Sequence, residues 1–188
     1  MYRGETSLHI ALIHHPVLNK KGDIIGSAVT NLDLHDIARV ARTYGVSRYY
    51  IVTPYSDQQN LVREMLDHWL TGHGGQYNPA RKEALNIVRV VDNLEHVQEN
   101  IVKRFNRKPF LVCTSARKQN CSISYSEVKK EINSNHPVLL LFGTAHGLAP
   151  ELLQRAVHVL PPITGIADYN HLSVRSAASI VIDRLLGN

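Results

Sequence analysis

HPVLLLFGTAHGLAPE, residues 136–151, decides the fold. Its first half, HPVLLLFG over 136–143, is an apolar run without polar alternation, as expected of a strand buried on both faces of a sheet. Gly143 ends the run and Gly147 follows four residues later. Between them Thr144, Ala145 and His146 form a polar turn, and helix-forming residues occupy 149–156. Glycine lets a ligand approach the backbone, and the amides that open a helix favour polar or anionic groups. The turn has neither the Lys-Ser/Thr of a P-loop nor a GxGxxG. Alone it marks a strand-to-helix connection and no particular ligand.

Outward from this unit, apolar strands alternate with helical patterns along the whole chain. LHIALIHH (8–15) reads as a first buried strand, followed by a loop over 19–31. Asp33 is placed to cap a helix reaching Tyr44, with Leu34, Ile37, Ala38 and Ala41 on one apolar stripe and Gly45 as its stop. RYYIVTP (48–54) is a strand ended by Pro54, and a helix follows over 58–70. TGHGGQYNPARKEA (71–84) reads as a polar loop or partly helical excursion. NIVRVV (86–91) and PFLVCTS (109–115) are strands separated by a helix over 93–105. Helices at 125–132 and 149–156, a strand AVHVLPP (156–162) and a terminal helix over 172–186 complete the pattern. Such alternation predicts an α/β fold, a mainly parallel sheet of about six strands with helices on both faces. No Ser/Gly/Pro-rich linker, repeat or low-complexity tract divides it, so 1–188 reads as a single domain.

The 188 residues, 44% hydrophobic and 20% charged, suffice for one full core. MYRGETSLHI lacks the basic start and apolar stretch of a leader, and no window approaches the roughly 18–20 apolar residues of a membrane span. These features predict a soluble, cytoplasmic protein without membrane contact. Cys113 and Cys121 have no CxxC partner and read as free thiols of a reducing compartment. The eleven histidines lack metal-ligand spacing, so no metal is expected. Twenty-one Lys and Arg against 16 Asp and Glu give a formal +5 and suit a polyanionic partner.

Parallel sheets bind ligands at the carboxyl ends of their strands. Three loops there draw notice: CTSARK (113–118), FGTAHGL (142–148) and PPITGIADYNHL (161–172). The third joins a Pro-Pro turn, a flexible Thr-Gly and a polar run to a terminal helix rich in Ala and Ser. Ala177, Ala178 and Val181 lie near one face of that helix and permit close approach of another chain segment.

LLLFGTAHGL (139–148), followed by YNHLSVRSAASIVIDRLLG (169–187), is similar to the two C-terminal motifs of the SPOUT RNA methyltransferases. TNLDLHDIARVARTYGVSRYYIVTP (30–54) resembles their first helix–strand unit. The match is nearest to a small bacterial family sometimes fused to tRNA (guanine-N1)-methyltransferase, and it spans nearly the whole chain in the expected order. The resemblance implies a doubly wound sheet with a C-terminal deep trefoil knot and a homodimer through the C-terminal helix. It also implies S-adenosylmethionine as cofactor and RNA, tRNA or rRNA, as partner. Its cofactor contacts would be Leu141, Phe142, Gly143, Thr144, His146 and Gly147, then Leu160, Pro162, Ile163 and Gly165, mostly through backbone. Thr114 and Ser115 would line the other edge, and Asn170, His171 and Leu172 would complete the site.

The accepting atom decides the catalytic residues. For a ribose 2′-hydroxyl the resemblance points to Arg39, six residues before Gly45 and away from the apolar stripe, although Asp33 and Ser173 stand where the 2′-O-methylating enzymes commonly carry Asn. For a base nitrogen, a carboxylate must take the ring proton and a cation steady the carbonyl oxygen, chemistry that Asp168 and Arg175 offer. Lys20, Lys21, Arg81, Lys82, Arg117 and Lys118 lie in loops able to gather phosphates. Two other readings stay open: a knotted RNA-binding or accessory module that binds S-adenosylmethionine without efficient transfer, and an unrelated Rossmann-like enzyme.

Overall fold

The structure is a computed structural model, and it describes residues 6–119, 123–156, 158–167 and 169–187. The chain begins with β1 (Leu8–Ile13), a small antiparallel hairpin of β2 (Val17–Leu18) and β3 (Ile24–Ile25), and α1 (Asn31–Thr43). It continues through β4 (Arg48–Val52), α2 (Ser56–Leu70), α3 (His73–Tyr77), α4 (Pro79–Leu85), β5 (Val88–Val91) and α5 (Leu94–Phe105). β6 (Phe110–Cys113), α6 (Tyr125–Asn133), β7 (Val138–Gly143), α7 (Pro150–Ala156), β8 (His158–Val159) and α8 (Val174–Leu186) complete it. Six strands form one sheet in the order β5-β4-β1-β7-β6-β8, every neighbouring pair parallel. The expected α/β class with a six-stranded parallel sheet is borne out.

The unbroken apolar runs follow from burial on both faces. Leu8, Ile10 and Leu12 of β1 join Val138, Leu140 and Phe142 of β7 in a core layer covered by α1, α2, α4, α6 and α8. Ala11 and Ile13, with Leu139 and Leu141, point the other way, against α5 and α7. With opposite faces both buried, period-2 alternation disappears.

Several boundaries differ from the expectation for local reasons. Thr30, not Asp33, caps α1: its extended backbone lets its hydroxyl accept from the Asp33 amide at 3.1 Å, and it donates to Asp33 Oδ2 at 2.6 Å. Asp33 therefore lies buried inside the first turn. The stretch 71–84 folds into two short helices because Asn78 caps α4 by accepting from the Arg81 amide and Pro79 suits a first helical position. The loop over 19–31 contains β3, which pairs with β2, and the final strand shortens to two residues. Ser173 caps α8, which starts at 174. Among the described residues no helix is long and apolar enough to cross a membrane.

Winding runs outward from β1 to β4 and β5, then crosses to the other half of the sheet. β1 and β7 are thus adjacent strands whose connections depart in opposite directions, the position where such sheets open a crevice at their carboxyl ends.

Candidate functional site

At the carboxyl end of β7 the chain turns tightly. A Cβ on Gly143 would come within 2.7 Å of the Leu148 amide nitrogen, and Gly147 has φ of +109°, a conformation natural only to glycine. The Gly147 amide donates to the Thr144 carbonyl at 3.0 Å. The segment after β1 is zipped onto this turn. Leu18 donates to the Gly147 carbonyl at 2.9 Å, His146 donates to the Leu18 carbonyl at 3.0 Å, and Val17 pairs with Leu148.

A polar chain fastens the same place from within. Thr144 Oγ1 donates to the Ile13 carbonyl at 2.9 Å, and Ser27 Oγ lies 2.5 Å from Thr144 Oγ1 and 3.0 Å from His14 Nδ1. With the Thr144 proton directed at Ile13, Ser27 donates to Thr144 and His14 donates from Nδ1 to Ser27. His14 is 1% exposed, and burial above all lowers its pKa to about 4, so the ring stays neutral. Its Nε2 is buried without a partner.

The loop after β6 is bonded to β7 below this turn, and the third loop is bonded to β6 and the loop that follows it. The Thr114 amide and hydroxyl both donate to the Leu141 carbonyl, at 3.0 and 2.9 Å. Ser115 Oγ accepts from the Arg117 amide. Leu160 donates to the Cys113 carbonyl, and Asn170 Nδ2 donates to the Ala116 carbonyl at 2.9 Å, laying the third loop along the first. Pro162 is half-buried, Ile163 packs against the core, and Gly165 is exposed with open space around its Cα. Among the described residues, the backbone groups of 161–167 make no backbone hydrogen bond.

α1 and α8 pack together and form a shallow groove of about 420 Å³ lined by Asp36, Arg39, Tyr44, Arg175, Ser176 and Ser179. Arg175 Nη1 lies 3.3 Å from Asp33 Oδ1, and its Nε lies 3.7 Å from Asp36 Oδ2. Arg39 is exposed and, among the described residues, forms no ion pair.

Residues 7–187 match the family described as SAM-dependent RNA methyltransferase. The chain belongs to that family. A tRNA (guanine-N(1)-)-methyltransferase of Oleidesulfovibrio alaskensis is 44% identical over 182 residues, 97% of this chain and 42% of that protein. The chain thus spans about two fifths of the length of that relative. An uncharacterized protein of Aquifex aeolicus is 42% identical over 95% of this chain and 88% of its own length. Among solved structures, the A. aeolicus TrmH/SpoU tRNA modifying enzyme superposes with a TM-score of 0.56 at 18% identity, covering 96% of this chain and 74% of that one. The likeness is one of fold, and it agrees with the expected SPOUT resemblance.

S-adenosylmethionine, the cofactor of this RNA methyltransferase family, fits the donor set. An adenine and a ribose need backbone amides, carbonyls and hydroxyls without a strong charge, and the turn at Gly143, Thr144, His146 and Gly147 and the backbone of 161–167 offer such groups at the carboxyl ends of β7 and β8. Leu141 and Phe142, 0% and 2% exposed, are core side chains that have only backbone to offer, and the Leu141 carbonyl already accepts twice from Thr114. His171 and Leu172 are exposed, His171 in edge-to-face contact with Tyr169. Asp168 lies outside the described residues. Burial pushes the Cys113 thiol up to about 12, so it is an inert core group, and Cys121 also lies outside the described residues. Sequence reasoning missed His14, although its place at the carboxyl end of β1 was a usable signal. Ser27 carried none.

Proposed function

We propose that this chain transfers the methyl group of S-adenosylmethionine to RNA, with tRNA as the first substrate to test. The observation that carries the reading is the bonding of the loop after β6 both to β7 and to the third loop, which leads into the helix that carries Arg175 in a groove shared with Arg39. The relative named as a tRNA methyltransferase supports the choice of RNA.

The cofactor supplies a methyl group already activated on a sulfonium. The chain's task is to align it and to manage the proton of the accepting atom. Gly143, Thr144, His146, Gly147, Leu160, Pro162, Ile163 and Gly165 hold the cofactor, with Thr114, Ser115, Asn170, His171 and Leu172 around it. Arg39, which pairs with no carboxylate among the described residues, engages the RNA and steadies charge developing on a ribose 2′-oxygen as the hydroxyl proton passes to solvent. In the alternative scheme Asp168 accepts a proton from a base nitrogen while Arg175 steadies the base carbonyl. The pairing of Arg175 with Asp33 and Asp36 supports the first scheme, since it leaves that guanidinium less able to serve a base carbonyl.

The same reading includes a C-terminal trefoil knot, supported by the bonding of 160–170 against the loop after β6. It includes a homodimer through α8, supported by exposed Ile166, Tyr169 and Leu172 just before that helix. It also places the protein in the cytoplasm with its RNA.

Calorimetry with S-adenosylmethionine, followed by transfer of labelled methyl to tRNA, tests the proposal. Stoichiometric binding and incorporation are expected. A folded chain with no cofactor affinity overturns the reading, and binding without incorporation into any cellular RNA indicates an accessory module instead. Arg39→Ala is expected to abolish transfer with cofactor binding retained. The same outcome in Asp168→Ala alone selects the base-nitrogen scheme.

A further inference from the structure

The stretch 71–84, unexplained by the cofactor site, holds an aromatic ring in solvent by design of the backbone around it. Tyr77 is 84% exposed, the last residue of α3. It is not on a loose loop. Gly74 and Gly75 are buried against the end of α2: a Cβ on Gly74 would lie 2.7 Å from His68 Nε2, and one on Gly75 would overlap the Trp69 carbonyl. On the other side Asn78 donates its amide to the Gly74 carbonyl at 2.9 Å and caps α4 through the Arg81 amide at 3.0 Å. The tyrosine is therefore presented by two anchored turns.

The surroundings are cationic and hydrogen-bonding. Arg81 stacks its guanidinium 4.7 Å from the Trp69 ring centroid, and its Nε is buried with no partner. The same indole is met edge-on by His35 at 5.5 Å and by His68 at 5.1 Å, and His35 Nδ1 also lacks a partner. His73 and Lys82 are exposed. The neighbouring carboxylate, Glu83, is taken by Arg42 of α1. His35 stands one helical turn before Arg39 on α1, so this patch continues along the surface into the groove that holds Arg39 and Arg175.

We propose that the face built from the end of α2, α3 and the start of α4 binds an unpaired nucleotide of the RNA substrate, with its base stacked on Tyr77 and its phosphates met by Arg81, Lys82 and His73. This rests on the reading of the chain as acting on RNA. A base needs one ring face and a few donors, whereas a protein partner needs a broader apolar patch. Of the exposed residues flanking Tyr77, His73, Gln76 and Lys82 are polar, and the apolar ones, Pro79 and Ala80, are small.

Binding of bulk tRNA to the full chain at low salt, read by filter retention, tests this with Tyr77→Ala, Tyr77→Phe and Lys82→Glu, and with S-adenosylmethionine affinity measured in parallel. Tyr77→Ala is expected to weaken RNA binding at least about fivefold, Tyr77→Phe less than about twofold, and Lys82→Glu about threefold, all with unchanged cofactor affinity. Equal RNA affinity for wild type and Tyr77→Ala overturns this inference and leaves the general reading standing. If Tyr77→Ala shifts only the oligomeric state, the face is a protein contact and the inference falls. A folded wild type that binds cofactor but no RNA overturns both. Loss of fold or of cofactor binding in Tyr77→Ala, with Lys82→Glu binding RNA as wild type does, makes the ring structural and also overturns it.

Discussion

The two ends of β1 each carry a buried histidine, and the molecule treats them oppositely. His9, near the amino end, is 0% exposed and packs against Phe105 at 5.4 Å and Tyr50 at 6.3 Å. Both of its ring nitrogens lack partners. Burial, with help from Arg104 and Arg48, lowers its pKa to about 3, so it serves as an apolar ring. His14 follows the carboxyl end and is equally buried, yet it anchors a chain of hydroxyls that reaches the turn after β7. Residue type and burial do not separate the two. Position does, because only the carboxyl end adjoins loops free to bind a ligand.

The contrast breaks first at the turn itself. Gly143→Val places side-chain atoms against the Leu148 backbone. Calorimetry is expected to detect no S-adenosylmethionine binding, with a melting temperature lowered by about 5 °C or more. Normal binding by this variant removes the turn from the site.

The amino end is tested with acid. The unfolded chain protonates His9 below the ordinary imidazole value of 6.5, while the folded chain resists until about pH 3. Stability from His9 is therefore whole above 6.5 and drains as pH falls toward 3. Denaturant titrations at pH 7 and pH 4 are expected to show wild type losing about 3 kcal/mol more than His9→Leu over that interval. Cofactor binding at pH 7 should be untouched. Equal acid losses in the two proteins would show that His9 does not govern this window.

At the carboxyl end, His14→Leu removes the donor that Ser27 Oγ accepts and is expected to weaken cofactor binding about tenfold, near 1.4 kcal/mol. His14→Asn restores an amide donor in place of Nδ1 and should recover most of the affinity, whereas His14→Gln, which imitates Nε2, should not. A mere packing role predicts instead that all three variants lose thermal stability with unaltered affinity. The smallest effect is expected from Asp33→Asn. Its partner Arg175 is 38% exposed, so the pair is screened by solvent, and the stability change should stay under about 1 kcal/mol by thermal melting.

Much of this was legible in the residues. The uninterrupted apolar runs of β1 and β7 announce burial on both faces, and Gly45, with φ of +71°, stops α1 where expected. The glycine-framed turn and the third loop were picked out by their place after strands. The hairpin of β2 and β3 was not, because two-residue strands leave too short a pattern and this one is held by bonds to Gly147 and His146, more than 120 residues away in sequence. Thr30 outcompeted Asp33 as the cap since a short hydroxyl and the following carboxylate satisfy each other when the helix starts earlier.

By itself the sequence determined the class of fold, the six strands of the main sheet and the three candidate loops, because these depend on local periodicity and on chain breaks that each segment carries alone. Only the tertiary structure decided which of His9 and His14 is bonded to the turn after β7, that Arg175 is held by Asp33 while Arg39 stands beside it in the groove, and that Tyr77 faces solvent from anchored turns. Those outcomes are long-range pairings, and their energies arise from groups that share no sequence neighbourhood.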